Sequence, residues 1–295
     1  MTIKYDWKNE GVSIDFLKEE ALTAVRETGA SIDPEDLLQR VLPDLEALAP
    51  REDGQEKVSG EEISTWVRQR LTAAAYATRP HCIRCGTCCR KASPVLAGED
   101  MDLFVKGVLK PSQVITIRIG EYAHSGITDE TALAEEEMIK IREEPGTTTC
   151  IFYRSNEKGC AIHETRPRQC RTQECWNPDC AEALAGLSKL DRKALLEPTG
   201  VFWEIVQRHE ERCSHEEMKR VMARLGATKG RTVEDVLDLL RYDEHIREFA
   251  SDRFKLESEG MDFFFGRPLK NILFVYGLAA EQQPDGTIIL KPADG

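Results

Sequence analysis

The chain has no apolar run approaching the ~20 residues that a membrane helix requires. Its first residues, Met1-Thr2-Ile3-Lys4-Tyr5-Asp6-Trp7-Lys8, lack the apolar stretch of a signal peptide. Nor is there an excess of positive charge. The formal net charge is −12 over 295 residues, which argues against a general affinity for nucleic acid or an anionic membrane. Internal repeats and low-complexity segments are absent. The expected compartment is the cytoplasm, where thiols stay reduced. A cysteine pattern there is read as metal-binding or catalytic before it is read as disulfides.

Hydrophobic residues make up 41% and charged residues 31% of the chain, as in an ordinary globular protein with material for a sizeable core. The first third reads as helix. Ile14, Leu17, Ala21 and Val25 recur at helical spacing, with Gly29 as the stop. Asp33-Pro34-Glu35-Asp36 opens a second helix whose stripe is Leu37, Val41, Leu45 and Leu48. After a polar loop over 51–57, Ser59-Gly60-Glu61-Glu62 forms a capping box ahead of Ile63, Trp66, Val67, Leu71 and Ala74. Gly98-Glu99-Asp100 opens a short helix expected to run through Leu109. Residues 114–119, 138–142 and 150–153 are expected strands. Asn156-Glu157-Lys158-Gly159 would turn the chain back toward Cys160-Ala161-Ile162 and bring Cys150 near Cys160. Ser214 and Thr232 head two further helices, and Asp285-Gly286 signals a terminal hairpin. The fold class is therefore α+β, predominantly helical, with a small cysteine-rich central region containing short antiparallel strands. The expected divisions are a helical region over 1–78, a metal-binding domain over 79–185, a helical region over 186–280 and a terminal hairpin or tail over 281–295.

Ten cysteines dominate the chemistry, and four of them, Cys82, Cys85, Cys88 and Cys89, fall in the run C-x2-C-x2-C-C. Cys150, Cys160, Cys170, Cys175 and Cys180 follow, and Cys213 stands apart as a buried small hydrophobe. Soft thiolates gathered so closely select zinc, Cu(I) or an iron–sulfur cluster over hard cations. The repeated C-x2-C step matches the first three ligands of a ferredoxin-type run, without its further Cys-Pro. If the run is helical, Cys82, Cys85 and Cys89 share a face; if it is a loop, Cys82, Cys85 and Cys88 are the natural set. Cys150, Cys160, Cys170 and Cys175 complete that centre or make a second, and His163 could join as a nitrogen ligand.

Two basic islands coincide with the thiols. Arg79, Arg84, Arg90 and Lys91 have no acid between residues 79 and 91, and Arg166, Arg168 and Arg171 have none from 165 to 173. Guanidinium groups there would lower the cost of an anionic centre or hold an anionic cofactor, so Arg84, Arg166 and Arg171 are candidate cofactor-binding residues.

The ordered set Cys82-Ile83-Arg84-Cys85-Gly86-Thr87-Cys88-Cys89, Cys150-Ile151-Phe152 and Cys160-Ala161-Ile162-His163-Glu164-Thr165-Arg166-Pro167-Arg168-Gln169-Cys170-Arg171 resembles the YkgJ-type cysteine-cluster family. That family is described as a zinc- or iron-chelating domain, with the flagellin lysine methylase as a relative. The resemblance implies ligands among Cys82, Cys85, Cys88, Cys89, Cys150, Cys160 and Cys170, with Arg166 and Pro167 shaping the last loop. Departures are His163, where members often carry tyrosine, and an insertion between Cys89 and Cys150. The leading expectation is an iron–sulfur protein, most simply 4Fe-4S with zinc as alternative or second metal, in a redox or oxygen-sensitive modification role with a protein or redox partner. The alternatives are a zinc-stabilised protein-binding module and a protein-lysine methyltransferase. The last would need an S-adenosylmethionine pocket, for which no G-x-G-type loop is present.

Overall fold

The structure, a computed structural model, describes residues 13–47, 59–79, 81–125, 130–157, 159–174, 180–283 and 287–293. Leu48, the 51–57 loop, Cys175 and the Asp285-Gly286 turn lie outside the described residues. The fold is α+β and predominantly helical. Among the described residues, no helix is long and apolar enough to cross a membrane. The chain divides into two compact units, residues 1–85 with 173–182, and residues 86–172 with 183–295.

The first unit is built on three helices, α1 (Ile14–Thr28), α2 (Pro34–Ala47) and α3 (Gly60–Tyr76). Their starts follow the expected chemistry. Ser13 Oγ accepts from the Phe16 amide at 3.0 Å, and Asp33 Oδ1 accepts from the Glu35 amide at 2.8 Å. Ser59 and Glu62 form the full capping box. Each such cap contributes about 1 kcal/mol. Leu17, Ala21 and Ala24 meet Leu37, Leu38, Val41, Ile63, Val67, Leu71 and Ala75 in one buried cluster. Each large apolar side chain so buried contributes about 1.5–3 kcal/mol.

The second unit begins with α4 (Thr87–Lys91), and α5 (Met101–Val105) follows a 3-10 turn at Gly98–Asp100. The expected helix through Leu109 stops four residues early. Gly107 takes a left-handed φ of 69°, and the Val108 and Leu109 amides fold back onto the Leu103 carbonyl. Strand β1 (Val114–Ile117) ends two residues before the expected boundary. Beyond it lies a hairpin that hydrophobic alternation did not signal, β2 (Tyr122–Ser125) with β3 (Glu130–Leu133). All four β3 residues are exposed, so no buried face imposed a pattern. β4 (Met138–Ile141) pairs antiparallel with β1, Val114 opposite Ile141.

Residues 150–153 are not a strand. Cys150 makes one isolated bridge to Glu143, and the following hairpin is only β5 (Tyr153–Arg154) against β6 (Gly159–Cys160). α6 (Arg168–Thr172) and α7 (Cys180–Ala185) follow. Helices α8 (Arg192–Leu196), α9 (Val201–Cys213), α10 (His215–Ala227), α11 (Val233–Phe254) and α12 (Met261–Phe265) complete the helical part, and β7 (Leu278–Gln282) pairs with β8 (Ile288–Pro292) in the expected terminal hairpin. Ser214 caps α10 through the Glu217 amide as expected. Thr232 makes no side-chain cap to α11, because its hydroxyl bonds Thr228 Oγ1 at 3.0 Å instead.

One core of this unit joins Leu96, Ile139, Ile141, Phe202, Val206 and Phe263–Phe265 to Cys150 and Phe152, with Cys89 and Cys160 packed on its edge. The thiol-bearing segments thus rest directly on the main hydrophobic core. α12 is held on β1 partly by polar bonds, the Thr116 hydroxyl donating to the Phe263 carbonyl at 2.6 Å. Buried Arg192 donates to the Phe264 carbonyl at 2.8 Å and pairs with Glu137 and Glu210 at 2.5 and 2.7 Å.

Candidate metal centre

The C-x2-C-x2-C-C run is neither one helix nor one loop. Residues 82–86 are irregular, and α4 starts only at Thr87, so Cys88 and Cys89 are helical while Cys82 and Cys85 are not. Both expected ligand groupings assumed a uniform backbone, and Gly86 breaks it with a left-handed φ of 77°.

In the first unit, the Arg84 amide donates to Cys82 Sγ at 3.4 Å, and Arg84 itself has a φ of 62°. That turn aims a backbone N–H at a sulfur, the arrangement that stabilises a thiolate ligand. The neighbouring Ile83 is seated on the end of α1. A Cβ built on Gly29, the left-handed C-cap of α1, would lie 2.5 Å from Ile83 Cγ2. Buried Arg79 donates its Nε to the Thr28 carbonyl and stacks 4.7 Å over Tyr76, tying the end of α3 to the end of α1 just before the run.

In the second unit, α4 is fixed by its contacts with the next thiol segment. The Cys150 amide donates to the Cys89 carbonyl at 2.8 Å, and the Thr148 hydroxyl donates to the Arg90 carbonyl at 2.6 Å. Arg90 Nη1 donates to Tyr153 Oη at 2.8 Å. The Tyr153 ring occupies the space over Gly86, where a Cβ would lie 2.2–2.3 Å from it. Tyr153 in turn sits opposite Cys160 on the β5–β6 hairpin. The hairpin therefore forms as expected, with Tyr153 paired across from Cys160 and Cys150 three residues before it.

Cys170 rides on α6, whose five residues are too few to hold a helix unaided. Asp100, almost wholly buried, accepts from the Arg168 amide at 2.8 Å and from the Ala97 amide at 2.8 Å. The Val95 amide donates to Gln169 Oε1 at 2.7 Å. Arg171 pairs with Glu99 at 2.9 Å and Arg168 with the same carboxylate at 3.5 Å. The acid-free stretch around Cys170 is thus neutralised by acids some 70 residues earlier, a pairing invisible along the chain. Arg166 donates to the His163 carbonyl at 2.7 Å, and its charge stabilises the Cys170 thiolate.

Electrostatics show which thiols meet. Burial, then the charges of Cys160, Glu143 and Cys88, push the Cys150 thiol up to about 11, against one backbone hydrogen bond at Phe152 that lowers it. Burial, followed by Cys150, Cys88 and Cys160, pushes Cys170 well above its ordinary value. Cys88, Cys150, Cys160 and Cys170 are therefore neighbours. A buried group of thiolates repels itself, and a bound cation reverses that cost. The donor set is soft, partly buried and close, so these residues fit a thiophilic metal. His163 Nδ1 lies 3.0 Å from Glu164, while its Nε2 is buried without a hydrogen-bond partner, so this nitrogen is open as a further donor. The nine described cysteines are all free thiols, and Cys180 stands at the start of α7.

Cys213 belongs elsewhere, fully buried in the cluster formed with α10, α11 and the 3-10 segment Leu269–Tyr276. Its Sγ lies within 4.8 Å of ligand atoms of His209 and Asp243. Asp243 is already engaged, accepting from His209 Nε2 at 2.7 Å, Arg247 Nε at 2.9 Å and the Leu269 amide at 2.9 Å. Asp243 is thus fully engaged, while His209 Nδ1 is buried with no hydrogen-bond partner among the described residues.

Sequence reasoning missed Gly29, Asp100, Tyr153 and Gln169 as positioning residues. Only Gly86, lying inside the cysteine run, carried a local signal. Residues 81–213 match the family model CxxCxxCC, described as a "putative zinc- or iron-chelating domain". No curated protein and no solved structure matches the chain.

Proposed function

We propose, from the match of residues 81–213 to a zinc- or iron-chelating domain model, that the protein is a cytoplasmic iron–sulfur protein with a redox or oxygen-sensitive modification role. The observation that carries this reading is the proximity of Cys88, Cys150, Cys160 and Cys170: Cys88 and Cys160 raise the proton affinity of both Cys150 and Cys170, and Cys150 raises that of Cys170. Cys82 and Cys85 are proposed as further ligands on their chain spacing from Cys88, and Cys175 on its place in the downstream group. Cys89 is the weaker candidate of the α4 pair, because Cys88 and not Cys89 is among the charges acting on Cys150 and Cys170.

When bound, a 4Fe-4S group would supply one-electron chemistry. The chain's own contribution is to hold the sulfurs and set their electrostatics. The Arg84 amide bonds Cys82 Sγ, and Arg166 offsets negative charge at Cys170. Arg171 is engaged by Glu99, so it acts through the loop it braces. Electrons would come from or pass to a redox partner protein.

Zinc is the second reading, favoured by the orphaned His163 Nε2, which suits a mixed nitrogen–sulfur tetrahedron. Anaerobic purification of the full chain, followed by metal and acid-labile sulfide analysis, separates the two. Brown protein with iron and sulfide is expected. Colourless protein with stoichiometric zinc, lost on His163→Ala, would overturn the iron reading in favour of zinc.

A further inference from the structure

Away from the thiols, the second unit carries an open groove of about 560 Å³ between α10 and the start of the terminal hairpin. Met222, Leu225, Tyr276 and Leu278 form its floor, and Ala223 lies on its wall. Two lysines, Lys219 and Lys229, also line it, and no acid does. Both lysines are exposed, and neither side chain has an ion-pair partner among the described residues. Nearby Arg220, Arg224 and Arg241 are instead matched by Glu217, Asp235 and Asp238.

Further exposed apolar side chains lie on neighbouring segments. Tyr276 is raised above its ordinary value by burial and then by the neighbouring Tyr122, so the two phenols are close. Tyr122 is 52% exposed and pairs across the hairpin with Leu133, 49% exposed. Phe274, at 69%, precedes Tyr276 by two residues. An apolar groove lined by charge of one sign only is the mark of a recognition site.

We infer that this groove binds a short acidic amphipathic helix of a partner protein, its apolar face on Met222, Leu225, Tyr276 and Leu278 and its carboxylates on Lys219 and Lys229. An apolar lining edged by lysines suits the apolar face of a helix with anchors at i, i+3, i+4 and i+7 and acids beside them. The unmatched lysines select acid over base. A second copy would bring the same lysines face to face.

The test selects a helix-constrained random peptide library, displayed on phage, against the immobilised full-length protein. Enriched peptides should combine leucine or phenylalanine at helical spacing with flanking glutamate or aspartate. Synthetic versions should bind with affinity that falls as salt rises, weaken at least tenfold on Lys219→Glu with Lys229→Glu, and fail to bind Ala223→Arg. All three substitutions are on exposed residues, and an unchanged melting temperature shows that the variants fold. Hydrogen exchange should slow on peptide binding across 219–230 and 276–278. Enrichment of basic peptides, equal binding to Ala223→Arg, preferential binding of phosphatidylserine vesicles, or concentration-dependent dimerisation lost on Ala223→Arg would each overturn the inference. These readouts do not depend on which metal the thiols hold.

Discussion

Cys150 and Cys213 are both buried thiols in the second unit, and both are driven far up in proton affinity, to about 11 and about 12. Their surroundings differ in kind. After burial, Cys150 is raised by other thiols, Cys160 and Cys88, together with Glu143. After burial, Cys213 is raised by Asp243 and eased by Arg118, Arg212 and Arg247. In the first environment several sulfurs share one place, where a cation could offset their charges together. In the second a lone sulfur faces a carboxylate and three guanidinium groups, with no other thiol among the charges that act on it. Depth alone does not mark a ligand; the company a sulfur keeps does.

The strongest way to break this comparison is to remove one sulfur from each place. Cys150→Ser should abolish stoichiometric metal binding and cost several kcal/mol, because thiolate sites contribute on the order of 10 kcal/mol in small metal-folded units. Cys213→Ala should retain full metal content and lose only about 1–3 kcal/mol for the vacated space. Metal analysis and chemical denaturation of both variants check this. Equal metal loss from both would erase the distinction.

The backbone that presents the sulfurs comes next. Gly86→Ala places a methyl within 2.2–2.3 Å of the Tyr153 ring at a φ of 77°. The left-handed backbone costs about 1–2 kcal/mol for a residue with a side chain, and the clash adds to it by shifting the ring that faces Cys160. Metal occupancy should fall by at least half. Gly29→Ala carries the same left-handed strain at a φ of 66° and meets Ile83 Cγ2 at 2.5 Å, but Ile83 is not itself a thiol partner, so its effect on metal content should be smaller. If Gly29→Ala proved the worse of the two, seating of the Cys82 segment would matter more than the Cys88–Cys160 geometry.

The buried trio predicts an acid response of its own. Burial holds His209 down to about 4, despite its bond to Asp243, with Arg118 and Arg247 adding to the effect. An unfolded histidine takes a proton near pH ~6.5. Between those values the unfolded chain binds the extra proton, so stability is full above pH ~6.5 and declines as pH falls toward 4. The loss at pH 5 should be about 2 kcal/mol from this residue. His209→Gln should be less stable at pH 7 but should lose less between pH 7 and pH 5 than the parent. Urea midpoints of the two proteins at both pH values give the difference. Parallel declines would show that the acid response belongs to the thiols instead, which must shed protons to bind metal.

How much of this was readable in advance follows from where the information sits. The first unit was legible because its signals are local: a cap, a stripe and a glycine stop lie within one helix, as at Ser59, Ile63–Leu71 and Gly29. The convergence of Cys88, Cys150, Cys160 and Cys170 was legible only as a pattern of soft ligands. Its geometry depends on pairings 50 to 75 residues apart, such as Ser93 with Glu143, Val95 with Gln169 and Arg168 with Asp100. The β2–β3 hairpin was missed because nothing buries β3. Chain spacing reports neither long-range side-chain caps nor strands without a buried face.

Asp100 gives the finest test of that long-range bracing. Its carboxylate takes the amides of Ala97 and Arg168 at once, and burial is the main influence raising its proton affinity, so it is held for its two acceptors and not for its charge. Asp100→Asn keeps the shape but turns one acceptor into a donor, leaving one buried N–H unmatched at a cost of about 1–2 kcal/mol. Metal content should stay at wild-type level, since no sulfur is lost. The rate at which a chelator strips the metal should rise several-fold, because α6 opens more often once its N-terminal anchor is weakened. A stripping rate equal to wild type would mean that Cys170 is held in place by the metal itself, and that the bracing from Asp100 and Gln169 serves only to assemble the site before metal arrives.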